Sequence, residues 1–113
     1  MNFSLSDFKG VCIVKINTDN ASQEITKEFK DLLTKLIEEK HYIKFLIDYT
    51  SVEFVDSAFL GAMVYAYRNI MVKQGGIKIC GLNETLVLRF EITKLNNLFE
   101  IFSRREDALQ SFN

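Results

Sequence analysis

Apolar and polar residues alternate from Phe3 to Phe8, stop at Lys9-Gly10, and alternate again from Val11 to Ile16, so the chain is predicted to open with a β-hairpin. Thr18-Asp19-Asn20 breaks the pattern, and Ile25, Phe29, Leu32, Leu33, Leu36 and Ile37 then recur at helical spacing among Glu, Lys and Asp. This spacing predicts a first helix from Ala21 to Lys40. Tyr42 to Tyr49 is a nearly continuous apolar run closed by Asp48, the pattern of a strand buried on both faces, and it is predicted to be the central one. After a loop from Thr50 to Asp56, a second helix is expected over Ser57 to Gln74. Its apolar stripe is Leu60, Met63, Val64, Tyr67 and Met71, and Gly75-Gly76 is its stop. A strand at Ile77 to Cys80 follows, then a third helix at Asn83 to Lys94 with Leu86, Val87 and Phe90 inward. A strand at Leu98 to Phe102 and a closing helix at Arg104 to Phe112 complete the chain.

The order ββαβαβαβα implies an α/β fold: a mixed sheet of about five strands, opening hairpin first and right-handed parallel crossovers after it, with about four helices. Length fits one domain, residues 1–113, and with 48% apolar residues a core can form without disulfide or metal. A net charge of −1 with no strong clustering of either sign leaves no electrostatic footprint for nucleic acid or an anionic membrane. Cys12 and Cys80 lie far apart inside apolar runs without metal-ligand spacing, which reads as buried thiols in a reducing compartment. No window approaches the length of a membrane span and no leader pattern opens the chain, so a cytoplasmic protein is expected. His41 is the sole histidine and has no cysteine beside it, which speaks against a metal site or a catalytic triad. Lys73-Gln74-Gly75-Gly76 reads as a helix end and not as a phosphate loop, so no cofactor is expected.

Phe54-Val55-Asp56-Ser57-Ala58-Phe59-Leu60-Gly61 carries the chemistry of interest, because it sets a hydroxyl at a helix start. Unpaired N–H donors and the positive end of the helix dipole let a serine there cap the helix and carry a phosphate. Asp56 beside it, with Phe54, Val55 and Phe59 around it, would give a polar centre and an apolar margin suited to docking a protein. The strand ending in Asp48, the loop, and Asp56-Ser57-Ala58-Phe59-Leu60-Gly61 resemble the STAS domains of bacterial anti-sigma factor antagonists. Leu88-Arg89-Phe90-Glu91-Ile92-Thr93-Lys94-Leu95-Asn96-Asn97-Leu98-Phe99-Glu100-Ile101-Phe102 and Glu106-Asp107-Ala108-Leu109 are similar to that family's last helix, strand and helix. Phe59 and Lys94 stand where the family often has glycine, and Asp19 is the counterpart of an aspartate in a Gly-x-Leu-Asp motif otherwise poorly kept here.

The resemblance implies partner switching. The unmodified domain binds an anti-sigma factor that is also a serine kinase, phosphorylation of Ser57 ends the complex, and a serine phosphatase resets it. Asp19, Phe54, Asp56, Ser57, Ala58 and Phe59 are the expected partner-binding residues, with Phe59 part of an exposed apolar patch. The domain would be no enzyme, and ATP would belong to the kinase. Two other readings compete: a scaffold of the same fold that is never phosphorylated, and a receiver-like domain with Asp48 or Asp56 as acceptor. Asp48 itself reads as structural, satisfying loop N–H groups. Ser103-Arg104-Arg105-Glu106-Asp107 carries both signs and is expected to cap and solvate the closing helix.

Overall fold

Lys9 and Gly10 take φ of 51° and 87°, the left-handed pair that a two-residue hairpin turn needs, and the opening strands β1 (Phe3–Phe8) and β2 (Val11–Ile16) close antiparallel across it. The computed structural model describes residues 1–112. The remaining strands are β3 (Asn20–Ala21), β4 (Lys44–Asp48), β5 (Phe54–Val55), β6 (Gly76–Cys80) and β7 (Glu100–Phe102). The helices are α1 (Gln23–Glu38), α2 (Ser57–Val72), α3 (Glu84–Ile92) and α4 (Arg105–Gln110), with a 3-10 turn at Leu95–Asn97.

Five strands form the main sheet in the order β1-β2-β4-β6-β7, antiparallel at the hairpin and parallel elsewhere, with β4 in the middle as its apolar run requires. Phe45, Leu46 and Ile47 are wholly inaccessible to solvent, because successive side chains enter the two opposite cores. One core collects Val14, Ile16, Phe45 and Ile47 with the buried stripe of α1 and with residues of α2 and α3. The other sets Val11, Ile13, Leu46 and Cys80 against Ala108, with Leu109 and Phe112 packed on its edge. Cys12 and Cys80 are both free and buried, and burial pushes their thiols up to about 11 and about 12 respectively, with Asp7 and Asp48 adding to the effect.

Three expectations need correction. A second, two-stranded parallel sheet pairs β3 with β5, Asn20 opposite Phe54 and Ala21 opposite Val55, in segments too short to carry a periodicity. The buried face of α2 is Phe59, Leu60, Ala62, Met63, Ala66 and Ile70, whereas Met71 is exposed. The buried arc is thus rotated from the expected stripe, with the small Ala62 and Ala66 facing inward. The stop of α2 is Gln74, which takes φ of 60°. Gly75 is needed for a different reason: a Cβ there would collide with the backbone of Ile43.

Candidate functional site

The short β3–β5 ladder brings the loop at Asp19 against the start of α2. The Asp19 carbonyl accepts the N–H groups of Glu53 and Phe54 at 2.7 and 3.0 Å, and Ala21 accepts the N–H of Asp56 at 3.1 Å. Asp19, Phe54, Asp56, Ser57 and Ala58 therefore converge on one end of the molecule. Phe54 is 61% exposed, and the Asp19 and Ser57 side chains also face solvent.

The cap of α2 is Asp56 and not Ser57. Asp56 holds extended backbone, and its Oδ1 accepts the N–H of Phe59 at 2.9 Å. Its Oδ2 accepts the N–H of Gln23 at 2.9 Å, in the first turn of α1, where the Ser22 side chain makes no capping bond. One carboxylate thus closes the N-termini of two helices and satisfies donors that neither helix can satisfy alone. Ser57 is left as the first residue of α2 with its hydroxyl free of capping duty. That hydroxyl accepts a long hydrogen bond of 3.3 Å from Arg89 Nη2 on α3, the contact of Ser57 that sequence reading missed.

Phe59 does not join this surface. It is wholly buried, its ring centroid 4.8 Å from that of Phe29 on α1 and 6.4 Å from that of Tyr49. Tyr49 in turn meets Phe90 of α3 edge-on at 5.9 Å. The expectation of an apolar patch at Phe59 fails because the side chain is drawn into the seam between α1, α2 and the end of β4. The exposed apolar residues on the neighbouring α3 are Leu88 and Ile92, at 55% and 70%, and only their place on the far side from buried Leu86 and Phe90 could have signalled it.

Asp48 is anchored. Arg105 Nη2 and Nε reach its Oδ2 at 2.7 and 3.1 Å, and the Thr50 N–H and hydroxyl both bind Oδ1. Desolvation pushes this carboxyl up, but the bonds from Thr50 and Arg105, together with the guanidinium charge, outweigh it and hold it below the usual carboxylate value. With both oxygens engaged, Asp48 is not a free phosphoryl acceptor, and Arg105 does more than solvate the closing helix. Among the described residues no group of three or more His, Cys, Asp or Glu could hold a metal ion, and no helix is long and apolar enough to cross a membrane.

The STAS domain family model matches residues 4–108. The chain belongs to the STAS domain family. An anti-sigma-B factor antagonist of Listeria monocytogenes is 37% identical over 62 residues, which are 55% of this chain and 54% of that protein. The chain thus spans about half the length of the curated relatives it matches. A Thermotoga maritima protein described as an anti-sigma factor antagonist superposes with a TM-score of 0.91 at 23% identity, covering 97% of this chain and 93% of that one. The Bacillus cell fate determinant SpoIIAA in its phosphorylated form superposes at 0.76 with 12% identity, covering 98% and 99%. At these identities the structural matches establish the STAS fold, with its mixed sheet and four helices.

Proposed function

We propose that this STAS domain is an anti-sigma factor antagonist that works by partner switching, a cytoplasmic regulator and not an enzyme. Its unmodified form binds an anti-sigma factor that is also a serine kinase, and phosphorylation of Ser57 ends the complex. The observation that carries the reading is the exposed Ser57 hydroxyl at the start of α2, released from capping by Asp56. The name of the Listeria relative supports the partner class. In the transfer step Ser57 Oγ attacks the γ-phosphorus of ATP held by the kinase. The new O–P bond forms as the bond to the β–γ bridging oxygen breaks, ADP leaves, and the hydroxyl proton passes to a base of the kinase. A serine phosphatase returns the hydroxyl by hydrolysis. The product carries about −1.5 to −2 charges beside Asp56, where repulsion and desolvation oppose rebinding.

Asp19, Phe54, Asp56, Ser57 and Ala58 form the docking surface in this reading, and Phe59 supports it from below. Incubation with the anti-sigma kinase and ATP should add one phosphate at residue 57 by mass spectrometry and none in Ser57→Ala. Ser57→Ala should bind the partner, and Ser57→Asp should bind it more weakly. Equal affinity for wild type and Ser57→Asp refutes the switch, and a complex that persists with no mass gain identifies an unphosphorylated scaffold instead.

A further inference from the structure

Resting on the reading of Ser57 as the modified residue, we propose that Arg89 is the internal counter-ion of phosphoserine 57, so that α3 senses the state of α2. Arg89 Nη2 already lies 3.3 Å from Ser57 Oγ. A phosphoryl group on that oxygen sets three acceptor oxygens between the serine and the guanidinium, whose planar fork suits paired, charge-assisted hydrogen bonds. The guanidinium has no competing anion: among the described residues Arg89 takes part in none of the ion pairs. The acid beside Ser57, Asp56, directs one oxygen to Phe59 and the other to Gln23, two N–H groups that leave Arg89 unopposed.

The backbone carrying Arg89 is fixed relative to Ser57. Its neighbour Phe90 is wholly buried against Tyr49, and Tyr49 against Phe59, so one aromatic chain ties α3 to the first turn of α2. The guanidinium is therefore held within reach of any group attached to Ser57 Oγ. Modification would act twice: it adds negative charge at the docking surface, and it withdraws the Arg89 cation from any acidic group of a partner.

Phosphoserine placed genetically at position 57 tests the pairing without any kinase. The second ionisation of the phosphate is followed by ³¹P NMR titration in the wild-type background and in Arg89→Gln, Arg89→Lys and Arg68→Gln, with circular dichroism confirming that each is folded. Arg89 in place should strengthen the phosphate acid about tenfold relative to Arg89→Gln. Arg89→Lys should retain part of the effect. Arg68→Gln, eleven residues along α2 and about 16 Å from Ser57, should leave it unchanged. Superimposable titrations of the wild type and Arg89→Gln overturn the proposal. The kinase reaction and partner affinity of the preceding section are separate readouts, so failure of the switch and failure of the Arg89 pairing are told apart.

Discussion

Asp56→Ala removes one side chain but opens two helices. The Phe59 N–H loses its cap, a change that costs about 1 kcal/mol at a helix start. The Gln23 N–H loses its acceptor at the start of α1, and Ser22 supplies no substitute, which adds about 1 kcal/mol. With an unfolding entropy of about 2.1 cal/mol/K per residue, a total of about 2 kcal/mol lowers the melting temperature of this 113-residue chain by about 8 °C. Asp56→Asn separates the two contributions. Its single carbonyl oxygen can keep the cap on Phe59, but its amide nitrogen cannot accept from Gln23, so about half the loss should remain. Thermal unfolding followed by circular dichroism at neutral pH measures both. If Asp56→Ala melts within about 2 °C of the wild type, the carboxylate does not bridge the helices in solution and the placement of Ser57 must rest on something else.

Phe59→Leu keeps most of the buried volume and should cost less than about 1.5 kcal/mol, whereas Phe59→Gly empties the seam and should cost about 4 kcal/mol or more by urea denaturation; equal costs would refute the core placement. Arg105→Gln leaves the Asp48 carboxylate short of a partner and should cost about 2 kcal/mol, less than a fully buried pair because the guanidinium is 37% exposed. Because the Asp48 carboxyl lies below its ordinary 3.8 in the folded state, its stabilisation is complete above that value and is lost as pH falls through the lower folded value. Arg105→Gln should therefore move the acid-unfolding midpoint to higher pH, and an unchanged midpoint would refute the pairing. Tyr49→Phe removes a buried hydroxyl with no partner among the described residues and should raise the urea midpoint, by about 1 kcal/mol of stability; a lowered midpoint would mean that the hydroxyl is satisfied. Lys94 takes φ of 63° just after α3, so Lys94→Gly should stabilise the fold by a few tenths to about 1 kcal/mol in the same assay, and a loss would show that the lysine side chain contributes more than its backbone strain costs.

The strands and helices that repeat a period over many residues were legible. The apolar spacing places helix α1 within two residues at each end, and the unbroken apolar run marks β4 as central. The contacts that define the site were not. Arg105 reaches Asp48 across 57 positions and Arg89 reaches Ser57 across 32, and no local pattern reports a pairing at such distances. The β3–β5 ladder escaped for the opposite reason, since two residues per strand hold no period to detect. Asp56 and Ser57 could be told as a helix start from their types, but either can cap. What the types cannot show is that Asp56 takes the cap through its bond to Phe59 while its second oxygen reaches Gln23, 33 positions away, a tertiary fact.

The sequence reads Phe59 as part of an exposed patch beside the candidate acceptor, yet it is buried, and its burial serves the acceptor. Residues two apart on an α-helix point about 200° apart, so a side chain at 59 that is drawn into the core turns the one at 57 away from it. The aromatic seam of Phe29, Phe59, Tyr49 and Phe90 then fixes the rotation of α2 about its own axis, and Asp56 fixes where the helix begins. Glycine at 59 would supply neither the anchor nor the rotational preference. In this chain the outward presentation of Ser57 is therefore set by packing beneath it as much as by the polar residues around it, and the bulky residue belongs to the support of the docking surface and not to its face.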